Sequence, residues 1–215
     1  DAYYLRACTL LKESNYESAL ADFEKAFSLA TDNLELVTSA YEEMQAAGFA
    51  EEGKTYIQNF MDQQDKKLTD SQKGILYYYL EDYANARIYL DGALNGTDAK
   101  VSLMLGQTYE KLGDMNYAAV VYQTYLDANA PDAAIYSSLG NCYMKQEKYE
   151  DALAAYEAGI EIGDSACLQS LKFNQIVANE YLGNFDKAKS LITDYLSVYS
   201  EDTKAQREAQ FLQTR

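Results

Sequence analysis

SLGNCYMKQEKYEDALAAYEAGI, residues 138–160, sets Gly140 twelve positions before a second small residue, Ala152, and Tyr143 thirteen before Tyr156. Residues 105–122, LGQTYEKLGDMNYAAVVY, hold Gly106, Ala118, Tyr109 and Tyr122 in the same relation, thirty-four positions upstream. The relation recurs along the chain as Ala7/Ala19 with Leu10/Phe23, Tyr41/Gly53 with Met44/Ile57, Gly74/Ala86 with Tyr77/Leu90 and, most degenerately, Ile176/Ala188 with Asn179/Ile192. Successive copies are displaced by 34, 33, 32, 34 and 36 residues. Self-similarity at a fixed period of this length marks a stacked repeat array.

Each period reads as two helices. Leu103, Leu105, Tyr109 and Leu112 show the apolar spacing of a first helix. A break follows in each copy, at Ser14-Asn15, Gly48, Glu81-Asp82, Gly113-Asp114, Glu147-Lys148 and Gly183-Asn184. Glycine suits the left-handed residue that stops a helix. An Ala- and aromatic-rich second helix such as YEDALAAYEAGI (149–160) comes next. Junctions ATDN, NGTDA, NAPDA and IGDSA supply Asp, Thr and Ser as N-caps, and Pro131 falls where a missing N–H costs little. Small residues at the helix crossing, Gly140 and Ala152, are expected to let the two backbones approach, with Tyr143 and Tyr156 filling the space beside them.

The pattern resembles the tetratricopeptide repeat, a 34-residue helix–turn–helix with a W-x₂-L-G-x₂-Y…A-x₃-F…P signature. Residues 136–143, YSSLGNCY, followed by Ala152-x₃-Tyr156, and residues 102–109, SLMLGQTY, followed by Ala118-x₃-Tyr122, carry it most fully. Ala19-x₃-Phe23 keeps the second half in the first copy, and Gly74 with Tyr77 part of the first half in the third. Trp is never used, the closing Pro is mostly Asp or Ser, and the second and sixth copies are degenerate. The resemblance implies an all-α, right-handed α-solenoid of about six repeats, at 1–31, 34–65, 67–98, 99–131, 133–164 and 169–200, in a single domain spanning 1–215. Residues 202–215, with Ala205, Ala209 and Leu212 on one stripe, are expected to form a capping helix, the alternative being a free tail.

Composition narrows the function classes. A net charge of −16 repels phosphate backbones, which speaks against nucleic acid and anionic lipid as partners. The chain contains no His, so Ser-His and Cys-His catalysis are impossible and the commonest zinc ligand is missing. No phosphate-binding glycine motif occurs. Cys8, Cys142 and Cys167 lie too far apart for a metal spacing and read as packing residues. No apolar run reaches the roughly 18 residues of a membrane span. The expectation is therefore a non-enzymatic chain without cofactor or metal. Its start at Asp1 rather than Met favours an extracytoplasmic, tethered protein with its leader or anchor removed, over a trimmed cytoplasmic one.

The resemblance further implies that protein or peptide segments bind a concave wall made by the first helices. The faces expected there are Tyr4; Thr38 and Gln45; Gln72, Ile75, Tyr78 and Tyr79; Leu103, Met104 and Gln107; Ser137, Asn141 and Lys145; and Phe173, Asn174 and Tyr181. With the flanking residues, including Glu35, Glu42, Glu110, Glu180, Lys12, Lys100 and Lys111, this lining is electrically neutral, rich in amides and tyrosine. It suits a short polar-and-apolar protein segment better than a polyion. Tyr78 and Tyr79 are an exposed aromatic contact, or the sign of a poorly filled third repeat. Asn141 and Asn174, with Lys204 and Arg207, are similar to the amide pair and cations of repeats that grip a C-terminal carboxylate, but Ser137 stands where such a site carries Lys. A structural role, in homo-oligomerisation or in docking within a larger chain, is the alternative.

Overall fold

The computed structural model describes residues 2–30 and 33–215; of the junction 30–33, Thr31 and Asp32 lie outside the described residues. Among the described residues there are thirteen α-helices and no strand. The contacts gather into two compact units, 1–93 and 94–215. The divide falls where Asn95 and left-handed Gly96 interrupt the helical pattern.

The first unit comprises α1 (Ala2–Lys12), α2 (Tyr16–Ser28), α3 (Leu34–Ala46), α4 (Ala50–Gln64), α5 (Asp70–Tyr79) and α6 (Tyr83–Ala93). The second comprises α7 (Ala99–Lys111), α8 (Met115–Ala128), α9 (Ala133–Lys145), α10 (Tyr149–Ile162), α11 (Ser165–Tyr181), α12 (Phe185–Val198) and α13 (Thr203–Leu212). Within each unit, consecutive helices pair as hairpins and each first helix also touches the first helix of the next hairpin. α11 begins four residues before the expected repeat start at 169, because Gly163 ends α10 in the left-handed region and Asp164 caps Ala166 N–H at once.

All six hairpin turns use one device. Ser14, Gly48, Glu81, Gly113, Glu147 and Gly183 each take positive φ. In each turn the next residue's N–H reaches five residues back to a helix carbonyl, as Asp114 N to Tyr109 O at 2.9 Å and Lys148 N to Tyr143 O at 2.9 Å. This is the Schellman closure, which satisfies orphan carbonyls and reverses the chain. Asn15 and Asp114 then cap the second helices through Ser18 N and Tyr117 N.

The repeat spacing finds its cause in the space over the small residue. A Cβ placed on Gly140 would lie 2.4 Å from Tyr156 Cε1, and one on Gly106 2.1 Å from Tyr122 Cε1. The second-helix ring thus lies directly on the first-helix glycine, so the nearest neighbour of Gly140 is Tyr156 itself. Leu90 covers Gly74 in the same way. The second hairpin reverses the arrangement: Tyr41 on the first helix lies over Gly53 on the second. Tyr122 and Tyr156 are fully buried, each contributing roughly 2–3 kcal/mol by burial.

Cys142 is buried, Cys8 and Cys167 are half-buried, and all three are free thiols. Burial and the nearby Glu110 push the Cys142 thiol up to about 12, so it packs as a neutral group. α13 lays Ala205 and Leu212 against α12 within a core of Ile176, Ala188, Ile192 and Tyr195, so the free-tail alternative does not hold.

Candidate partner-binding face

The buried tyrosines of the second unit are held at their hydroxyl ends by first-helix residues. Tyr122 OH donates to Glu110 Oε1 at 2.8 Å, and Lys145 from the following repeat donates to Glu110 Oε2 at 3.0 Å. Tyr156 OH donates to Asn141 Oδ1 at 2.8 Å, and Asn174 Nδ2 from the following repeat donates to the same oxygen at 3.1 Å. Each hydroxyl links its own hairpin to the next. Burial pushes both phenols above their ordinary range, so they remain donors at any physiological pH.

These groups surround an open hollow of about 300 Å³ lined by Glu110, Asn141, Met144, Lys145, Tyr156, Asn174 and Val177. Asn141 Oδ1 accepts two bonds, whereas its amide NH₂ makes none among the described residues. Asn174 uses one amide hydrogen on Asn141. The hollow therefore presents amide donors beside two apolar side chains, with the Lys145 charge balanced by Glu110. No group of three or more His, Cys, Asp or Glu that could hold a metal occurs among the described residues. None of the described helices is long and apolar enough to cross a membrane.

In the second unit the structure brings Asn141, Asn174 and Lys145 to one place. Leu103, Gln107 and Ser137 are half-buried on the neighbouring first helices. Met104, expected in the groove, is 93% buried, because α9 packs across the α7 face that the helical wheel leaves free. Phe173 faces its own hairpin partner, with its ring 5.9 Å from that of Tyr195. Tyr181 stacks on Tyr149 of α10 at 4.8 Å, at the seam between hairpins. Lys204 and Arg207 are exposed on α13 and do not line the hollow.

In the first unit several expected groove residues are spent on structure. Thr38 and Ile75 are buried; their helices α3 and α5 pack on each other, and α3 also packs on α1. Gln72 is the N3 residue of a capping box, its side-chain oxygen accepting from Thr69 N at 2.9 Å. Tyr79 donates to Glu42 and sets its ring edge-on to Tyr41, while Tyr78 packs between Tyr79 and Tyr83. The YYY run is thus largely bracing for the third hairpin. Tyr4 packs edge-on against Phe23, and Gln45 is exposed.

Comparison with known proteins agrees with this geometry. Descriptions of the tetratricopeptide repeat match residues 1–33, 99–132 and 133–163. The chain carries tetratricopeptide repeats at these residues. Anaphase-promoting complex subunit CDC16 of Saccharomyces cerevisiae is 28% identical over 92 residues, 39% of this chain and 11% of that protein. Tetratricopeptide repeat protein 21B of Mus musculus is 30% identical over 66 residues, 31% of this chain and 5% of that one. The chain therefore spans about a tenth or less of these relatives. Among solved tetratricopeptide folds, Cut9 in its complex with Hcn1 superposes with TM-score 0.66 at 17% identity, covering 96% of this chain and 42% of that one. YrrB, described as a TPR protein with an unusual peptide-binding site, gives 0.58 at 18%, covering 87% and 97%. MamA gives 0.59 at 23%, covering 67% and 86%.

Proposed function

We propose that this tetratricopeptide repeat chain is a non-catalytic binding module whose second unit holds an extended protein segment on its first-helix face. The observation that supports this is the amide pair Asn141–Asn174, joined across two repeats and set beside Met144 and Val177. A primary amide with unused N–H groups recognises a peptide carbonyl, and the two apolar side chains take up an adjoining residue. Because Lys145 is neutralised by Glu110, the hollow suits a main-chain amide better than a free carboxylate. The chain thus acts as adaptor or scaffold.

The test is affinity isolation with the wild type and with Asn141→Ala/Asn174→Ala, followed by calorimetry on each purified protein that is recovered. A protein bound by the wild type and lost from the double variant, with the helical fold intact, supports the reading. Should the double variant keep every partner and change only its oligomeric state, the structural alternative replaces it.

A further inference from the structure

In the first unit, α2 and α4 enclose a cleft of about 500 Å³ between them. Aromatic pairs mark its two ends. Tyr16 stacks on Phe49 at 4.9 Å near the helix starts, and Phe27 meets Phe60 edge-on at 4.9 Å near the helix ends. Between them lie Glu24 and Glu52 on its walls, together with Tyr56. Among the described residues lining the cleft, none is basic. Lys54, the one cation on α4, is held by Glu51 and Glu81 at 3.1 and 2.9 Å. α2 and α4 together carry six acidic side chains against two basic.

Tyr56 supplies an independent observation. It is 8% exposed, and its hydroxyl is buried with no hydrogen-bond partner among the described residues. A buried hydroxyl left unpaired costs about 1–3 kcal/mol, so a native site that keeps one calls for an explanation. Burial and the Glu24 charge push this phenol up to about 12, and burial, Glu52 and Glu24 push Tyr16 up as well, so both acids act on the rings that floor the cleft.

We propose that the α2–α4 cleft is a second docking site, for an extended basic segment of a partner protein whose Arg or Lys side chain lies between Glu24 and Glu52 on the faces of Tyr16 and Tyr56. A cation over an aromatic face, flanked by carboxylates and partly desolvated, is bound by both effects together. Eleven residues separate Tyr16 from Phe27, roughly 16 Å of helix, which accommodates about five residues of extended chain. The Tyr56 hydroxyl then donates to a carbonyl of that segment. This site shares no residue with the Asn141–Asn174 face.

The probe is an N-acetylated, C-amidated pentapeptide, leucine-arginine-alanine-arginine-leucine, titrated into the full chain by calorimetry and NMR. Its comparator replaces both arginines with the isosteric, neutral citrulline. The arginine peptide is expected to saturate and to shift the Tyr56 and Phe60 resonances. Citrulline, and separately Glu24→Gln/Glu52→Gln, should each weaken binding about tenfold. Tyr56→Phe keeps the packing and should weaken it severalfold. Equal binding of the two peptides, undiminished binding to the double Gln variant, or no saturation by either peptide overturns the proposal.

Discussion

Gly140 shows how one missing methyl group positions the hairpin. A Cβ there has to displace the fully buried Tyr156 ring, so Gly140→Ala is expected to cost about 1–3 kcal/mol in a urea melt. Gly92, also helical, has nothing within 4 Å of a built Cβ, so Gly92→Ala should stabilise by about 0.5–1 kcal/mol. Equal effects at the two sites would contradict the ring-over-glycine contact. Glu147 holds φ of +60° at a turn where three of the other copies use glycine. Relief of that left-handed strain predicts that Glu147→Gly raises stability by up to about 1 kcal/mol, even though it adds a glycine. The small–aromatic spacing was legible in the sequence because it follows the repeat. The ring's exact partner was not, since a one-dimensional offset does not tell a backbone crossing from a side chain crossing over a backbone.

At the scale of helices, the sequence places turns and caps well and assigns open faces less well. Ile75, Met104 and Thr38 lie on faces that a lone hairpin would leave free and that neighbouring helices cover. Gln72 was read as a surface amide because capping geometry depends on Thr69, three residues before it. The α2–α4 cleft has no periodic signal at all, since it depends on where large rings from two different repeats meet. Helices α11 and α13 carry a pH-dependent contact. Glu180 has one buried oxygen without a partner while its carboxyl is ionised; when protonated it donates to Glu208, and desolvation together with Glu208 pushes it up to about 8. Arg215 is the cation in the same hollow. Between about 4.3 in the unfolded chain and about 8 in the folded one, the folded state binds more protons, so this contact loses stability as pH rises through that window. Glu180→Gln should therefore raise Tm relative to the wild type at pH 9 and make little difference at pH 4. A Tm gap that does not vary with pH would remove Glu180 as its source.

At the scale of the molecule, each compact unit buries a core within itself. Tyr41, Met44, Ile57 and Leu76 lie in the first, and Tyr156, Leu171, Ile176 and Leu212 in the second. Stacked repeats draw stability from nearest neighbours, so residues 94–215 expressed alone should be helical and melt cooperatively. The repeat array was legible because every copy must solve the same packing problem. The division into units was not, because the junction at 94–98, Leu-Asn-Gly-Thr-Asp, reads like the other polar junctions between copies. The first-helix face of the second unit remains the centre of the account. Its most direct test is calorimetric titration of a recovered partner into wild type and Asn141→Ala/Asn174→Ala: the account predicts at least about a tenfold loss of affinity with an unchanged melting curve, and unchanged affinity would contradict it.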